Sequence, residues 1–150
     1  LILGVVADPV REEYFMAEKG KGAFLENQKL QISNLSSFDN SIWYVTHGYE
    51  ESHRRKYAEL IDKIVSEGTT RRSGSSALDL CYLAMGCGEV YVTYGDFLYD
   101  YAGGLIIAKE AGAVISDWKG MPWHKEAKYV LAATPQLHHG VVHLISDLQE

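Results

Sequence analysis

Apolar residues change rhythm about a quarter of the way along the chain. Up to residue 32 they fall in short runs at 1–7, 13–18 and 23–32, separated by Asp8-Pro9 and by Gly20-Lys21-Gly22. Such runs read as strands joined by tight turns. The connections are too short for crossovers, so the strands should be antiparallel neighbours. Residues 34–40 form a polar connector. After it, β-rich runs alternate with longer stretches of helical period. Strands are expected at 41–46, 69–73, 89–94, 114–117 and 129–133. Helices are expected at 52–66, 75–85, 101–111 and 136–148. In the first helix Tyr57, Leu60, Ile61, Ile64 and Val65 share a face, and Gly68 stops it. The second is apolar nearly all round, hence buried.

Alternating strand and helix predicts an α/β fold, a mixed sheet with helices on both faces. The antiparallel set before it belongs to another sheet. The expected division is 1–33, an antiparallel strand set, and 34–150, a C-terminal α/β domain. The chain starts without Met on an apolar run that resembles the middle of a sheet. It is therefore read as the C-terminal part of a longer protein.

Composition narrows the classes. With 47% hydrophobic and 23% charged residues among 150, the chain is ordinary for a soluble globular domain. Its net charge of −6 argues against a nucleic-acid face, which needs clustered Lys and Arg. The basic clusters, 53–56 and Arg71-Arg72, are short. No apolar run reaches the roughly 18–20 residues of a membrane span. Cys81 and Cys87 have neither redox nor zinc spacing and read as buried, reduced thiols, which suits a cytoplasmic protein. His139 and His143 are four apart on the last helix, but Gly140 stands where a metalloprotease helix needs Glu, so a solvated face is the better reading.

Two stretches carry candidate chemistry. Tyr99-Asp100-Tyr101-Ala102-Gly103 stands between a strand and a helix. An acid there caps the helix, its commoner use, or holds a hard cation. In α/β sheets ligands gather beyond the carboxyl ends of strands, where Asp100 falls. The second stretch is Ser73-Gly74-Ser75-Ser76, a glycine and hydroxyls at a helix start, whose free N–H groups attract anions and hydroxyls. Ser76 and Asp79 there also fit a capping box.

Taken in order, AEKGKGAF, RRSGSSALDL and YDYAGG…KEAGA resemble the inositol monophosphatase family of magnesium-dependent, lithium-sensitive phosphatases. The resemblance runs from Gly4 to about Thr134. It implies that Asp100 binds a catalytic Mg²⁺ and that Gly74, Ser75, Ser76 and Thr93 contact the substrate, a small phosphate ester. It also implies a homodimer, a full protein of roughly 250–280 residues, and that residues 1–33 complete the sheet of a preceding domain. The family's Asp-Pro-x-Asp-Gly-Thr and upstream Glu-Glu motifs are absent from this chain, and Ala7-Asp8-Pro9-Val10 does not replace them. The chain alone is therefore expected to be inactive. Thr93 stands where many members carry a sugar-binding Glu, and Asp96, three residues on, is a candidate substitute or an ordinary turn residue. Myo-inositol monophosphate leads the substrates. Fructose bisphosphate, a nucleotide 3′-phosphate and NADP stay open, as does a non-catalytic binding module that kept the fold.

Overall fold

The computed structural model describes residues 1–149. Strands β1 (Leu3–Asp8), β2 (Glu13–Glu18), β3 (Gly22–Leu25) and β4 (Gln28–Lys29) form an antiparallel sheet in chain order. β1 alternates exposed and buried positions without a break, because only one of its faces is covered. The expected strand at 23–32 is cut short. Glu26 adopts φ +52°, so the chain turns there and returns as the two-residue β4.

Strand β5 (Ile42–His47) opens the second sheet. It continues with α1 (Glu51–Ile64), β6 (Thr69–Arg71), α2 (Ser76–Ala84), β7 (Val90–Tyr94), α3 (Leu98–Glu110), β8 (Val114–Ser116), β9 (Tyr129–Ala133) and α4 (Pro135–Ile145), closed by a 3₁₀ turn at Ser146–Leu148. The strand order is β6-β5-β7-β9-β8. β5 runs parallel to β6 and β7, while β9 is antiparallel to β7 and β8. The sheet is mixed, as the alternating pattern requires.

Both faces of this second sheet are buried. Trp43, Val45, Val90, Val92, Leu131 and Ala133 pack against α1 and α4 through Leu60, Ile64, Val141 and Ile145. Their neighbours Tyr44, Tyr91, Val130 and Ala132 face α2 and α3 through Leu80, Leu83, Tyr101 and Leu105. The opposite side of α2 and α3 meets the first sheet through Cys81, Ala84, Ile106 and Ile107 against Val6, Phe15 and Ala17. The layers thus run sheet, helix pair, sheet, helix pair.

Two adjacent glycines let α3 sit in the middle. A Cβ on Gly104 would meet the Ala77 carbonyl at 2.7 Å and Leu80 at 2.8 Å on α2. One on Gly103 would press on Val5 and Val6 of β1 at 3.3 Å. Glycine inside a helix costs about 1 kcal/mol against alanine, so the pair is explained by close packing on both sides. Val65 is 60% exposed, outside the buried face expected of it, because α1 ends one residue earlier. Cys81 is buried and Cys87 is exposed, so only the first matches a buried thiol. No helix among the described residues is long and apolar enough to cross a membrane.

Candidate active site

The parallel strands β5, β6 and β7 end together, and their following loops carry the candidate residues. The loop after β7 turns at Gly95, which has φ +76°. It then runs through Asp96 and Phe97 into α3. Helix α3 starts at Leu98, earlier than the 101 expected, with Phe97 at its N-cap. A phenyl ring accepts no hydrogen bond. Asp100 takes over: its Oδ2 accepts the Phe97 N–H at 3.2 Å. Asp100 therefore caps its own helix with one oxygen. Phe97 and Tyr99 stack at 5.2 Å between ring centroids and stay 52% and 79% exposed, forming an aromatic lip beside it.

The loop after β6 delivers Gly74 with φ +92°, and nothing stands within 4 Å of where its Cβ would be. Its backbone lies open. The cap of α2 is Ser75, whose Oγ accepts the Leu78 N–H at 3.4 Å. The capping box expected of Ser76 and Asp79 does not form. Ser76 Oγ instead donates to Asp96 Oδ2 at 2.6 Å, tying α2 to the loop after β7. The Tyr91 hydroxyl donates to the same oxygen at 3.4 Å. Asp96 thus joins Ser76 to the turn that leads to Asp100, a link spanning twenty residues that spacing cannot reveal.

Two polar side chains lie beneath. Asp79 and Thr93 have no exposure, and neither the Asp79 carboxylate nor Thr93 Oγ1 has a hydrogen-bond partner. Burial pushes the Asp79 carboxyl above its ordinary range and the nearby Asp96 charge adds to this, while Ser73 and Arg72 pull it back. Ser73 is near without making a hydrogen bond of ordinary geometry. Burial likewise holds the Tyr91 phenol protonated. Gly74, Ser75, Ser76 and Asp100 thus lie beyond the carboxyl ends of β6 and β7, the crevice where α/β sheets take ligands. Thr93 lies under it.

The loop after β6 also brings a cation, Arg72, which reaches across to His47 at the end of β5. Arg72 donates to His47 Nε2 at 2.9 Å, and its guanidinium lies 5.8 Å from the Tyr57 ring centre. With Nε2 accepting, the His47 proton sits on Nδ1 and is donated to the Gly48 carbonyl at 2.6 Å. Arg71 instead donates to the Thr70 carbonyl.

Magnesium fits this chain only in part. Asp100 offers a hard oxygen at the crevice, but among the described residues no three His, Cys, Asp or Glu side chains gather to hold an ion. Asp8 is engaged elsewhere: its carboxylate accepts from the Val10 and Arg11 amides and pairs with the Arg11 guanidinium at 2.7 Å. A cavity of about 290 Å³ lined by Leu1, Lys19, Lys109 and Trp123 lies at the far end of α3 from Asp100.

The family model for inositol monophosphatases matches residues 1–150, the whole chain. The chain belongs to the inositol monophosphatase family. Nus factor SuhB of Pasteurella multocida is 32% identical over 139 residues, covering 90% of the chain and 51% of that protein. Nus factor SuhB of Vibrio cholerae is 29% identical over 147 residues, covering 97% and 54%. The Thermotoga maritima IMPase superposes with a TM-score of 0.87 at 28% identity, covering 97% of this chain and 56% of its own. SaIMPase-II bound to inositol monophosphate superposes with a TM-score of 0.81 at 27% identity, covering 95% and 55%. The chain therefore spans about half the length of the curated relatives it matches. Membership makes its fold that of magnesium-dependent phosphatases.

Proposed function

We propose that the chain is the C-terminal part of a magnesium-dependent phosphomonoesterase that hydrolyses a small phosphate ester, with myo-inositol monophosphate the leading substrate. The observation that supports this most is Asp100: a carboxylate at the mouth of the crevice with one oxygen spent on its own helix and one left over. The fit to SaIMPase-II, whose structure holds inositol monophosphate, supports the substrate class. Residues 1–33 would complete the sheet of a preceding domain, with 34–150 as the C-terminal one. The remaining metal ligands would come from outside these residues.

Bound magnesium would stabilise negative charge on the phosphoryl oxygens and lower the pKa of a water. This chain's own residues would bind and orient. Asp100 would hold its ligand oxygen at a fixed height because its partner oxygen is pinned to Phe97. The first amides of α2, of which the Ser75 hydroxyl engages only that of Leu78, would face an anionic or hydroxyl oxygen of the substrate. The open backbone at Gly74 leaves room for that approach. Lithium sensitivity, a homodimer and a cytoplasmic setting without nucleic-acid or membrane partners belong to the same reading.

The test is phosphate release from myo-inositol 1-phosphate by the intact protein, with and without Mg²⁺. Release that needs Mg²⁺ and vanishes in Asp100→Asn supports the reading. Release unchanged in that variant rules out the ligand role. The 150 residues alone should release nothing. A second reading comes from relatives named Nus factors, such as the Escherichia coli protein at 31% identity over 137 residues. It is a binding module that kept the phosphatase fold, and absence of turnover on a panel of esters by the intact protein would favour it.

A further inference from the structure

The cavity of about 290 Å³ lies apart from the crevice, because Asp100 is in the first turn of α3 and the cavity meets Lys109 and Glu110 in the last. Three parts of the fold enclose it. α3 supplies Leu105 and Ile106, both nearly without exposure. β8 and the loop after it supply Ile115 and Trp123, and the turn between β2 and β3 supplies Lys19. The loop is drawn back to β8 by a bridge between Ser116 and Pro122. The turn is held by Glu110, whose Oε2 accepts the Gly20 and Gly22 N–H groups at 2.9 and 3.1 Å. Lys19 and Lys109 therefore stand on a braced frame.

Neither lysine is engaged. The neighbouring Lys21 pairs with Glu18 at 2.8 Å, but among the described residues Lys19 and Lys109 have no ion pair. A lysine in the last turn of a helix commonly serves the final carbonyls. Here those of Ile107, Ala108 and Lys109 are taken by the amides of Ala111, Ala113 and Gly112. The acid among the lining residues, Glu110, already has its two N–H donors. Apolar walls with two exposed, unpaired cations are complementary to an anion with an apolar body. The volume is near the lower end of ligand pockets, roughly 300–1,000 Å³, and suits a single ring. The negative end of the α3 dipole offsets part of the lysine charge, so one carboxylate suits the site better than a dianionic phosphate.

We propose that this cavity is a second ligand site that takes a small organic carboxylate, its apolar body against Leu105, Ile106, Ile115 and Trp123 and its charge met by Lys19 and Lys109. The proposal does not depend on the phosphatase reading, because no residue of the crevice takes part.

Trp123 is the reporter. The other two described tryptophans, Trp43 and Trp118, lie on the opposite face of the second sheet, their indole N–H groups held by Ser41 Oγ at 2.7 Å and the Val130 carbonyl at 3.3 Å. The intact protein, labelled with ¹⁵N and saturated with Mg²⁺, is titrated with benzoate and with its uncharged counterpart benzamide. The Trp123 indole resonance, assigned by its loss in Trp123→Phe, should move saturably with benzoate while those of Trp43 and Trp118 hold still. Lys19→Met and Lys109→Met should each weaken benzoate about two- to fivefold, the worth of one exposed ion pair, and the double variant about tenfold. Benzamide should bind about tenfold more weakly than benzoate, for the same reason. Unmoved Trp43 and Trp118 resonances show that the lysine variants are folded. Asp100→Asn should leave the titration unchanged. No saturable movement of Trp123, an equal response to benzamide, or full affinity in the folded double variant would overturn the proposal. So would movement that disappears in Asp100→Asn, which would place benzoate at the crevice.

Discussion

Helices α2 and α3 both begin at the crevice, and they begin by different means. α2 has a hydroxyl residue at its N-cap, Ser75, which bonds the Leu78 amide. α3 has Phe97 there, and the acceptor comes from inside the helix, at Asp100. A side-chain oxygen at the N-cap is the common solution. Its absence at α3 shows that the first turn is built around the acid. One Asp100 oxygen holds the helix start, and the other is left for the metal-ligand role proposed for it.

The comparison breaks most readily at Asp100. In the intact protein Asp100→Asn keeps a carbonyl oxygen for the Phe97 amide but loses the charge. Magnesium-dependent turnover should fall about a hundredfold or more, since metal stabilisation of the transition state is worth several kcal/mol, and the melting temperature should hold. Asp100→Ala should add a stability loss of about 1 kcal/mol for the lost cap. Phosphate-release kinetics and thermal melts separate the two effects. Equal melting losses in both variants would show that charge, rather than the hydrogen bond, holds α3.

Gly104 fixes the distance between the two helix starts. Gly104→Ala places a methyl against the Ala77 carbonyl and Leu80. It should cost about 1–3 kcal/mol by overpacking, despite the better helix propensity of alanine, as read by denaturant unfolding. A gain in stability would mean that α2 yields at that contact. Ser75→Ala removes the cap of α2 and should cost about 1 kcal/mol in the same assay.

The smallest effect concerns pH. Burial raises the Asp79 carboxyl in the folded protein. An acid raised by folding contributes stability that is full below its unfolded pKa of about 3.9 and is lost as pH rises through the folded value. Asp79→Asn should therefore raise the melting temperature at neutral pH and leave it nearly unchanged near pH 4. A melting temperature lowered equally at both pH values would mean that the carboxylate has a partner in solution.

Much of the fold was readable from pattern. The one-sided alternation of β1 and the apolar runs of β5, β7 and β9 mark a half-covered sheet and a fully covered one. What the chain hid has physical causes. Ser75 and Ser76 are adjacent and chemically alike, so only the backbone tells which one caps, and Asp79 made Ser76 the apparent choice. The start of α3 carries no N-cap signal because Phe97 holds that place. The turn at Glu26 uses a positive φ on a residue that seldom takes one. At the crevice, the order of motifs picked out Gly74, Ser75, Ser76 and Asp100, which the structure gathers at one edge. The bond from Ser76 to Asp96 joins residues on different elements, beyond the reach of any local pattern. The full burial of Thr93 follows from its parity with Tyr91 on β7, which could have been counted from the sequence.

Whether Asp100 shares a divalent ion with acids supplied by the rest of the protein is most directly measured by titrating the intact protein with Mn²⁺, in place of Mg²⁺, in a calorimeter, beside Asp100→Asn. The predicted result is binding in the unaltered protein that weakens about tenfold or more, or loses a site, in the variant. Identical isotherms would contradict it and leave Asp100 with its helix cap alone.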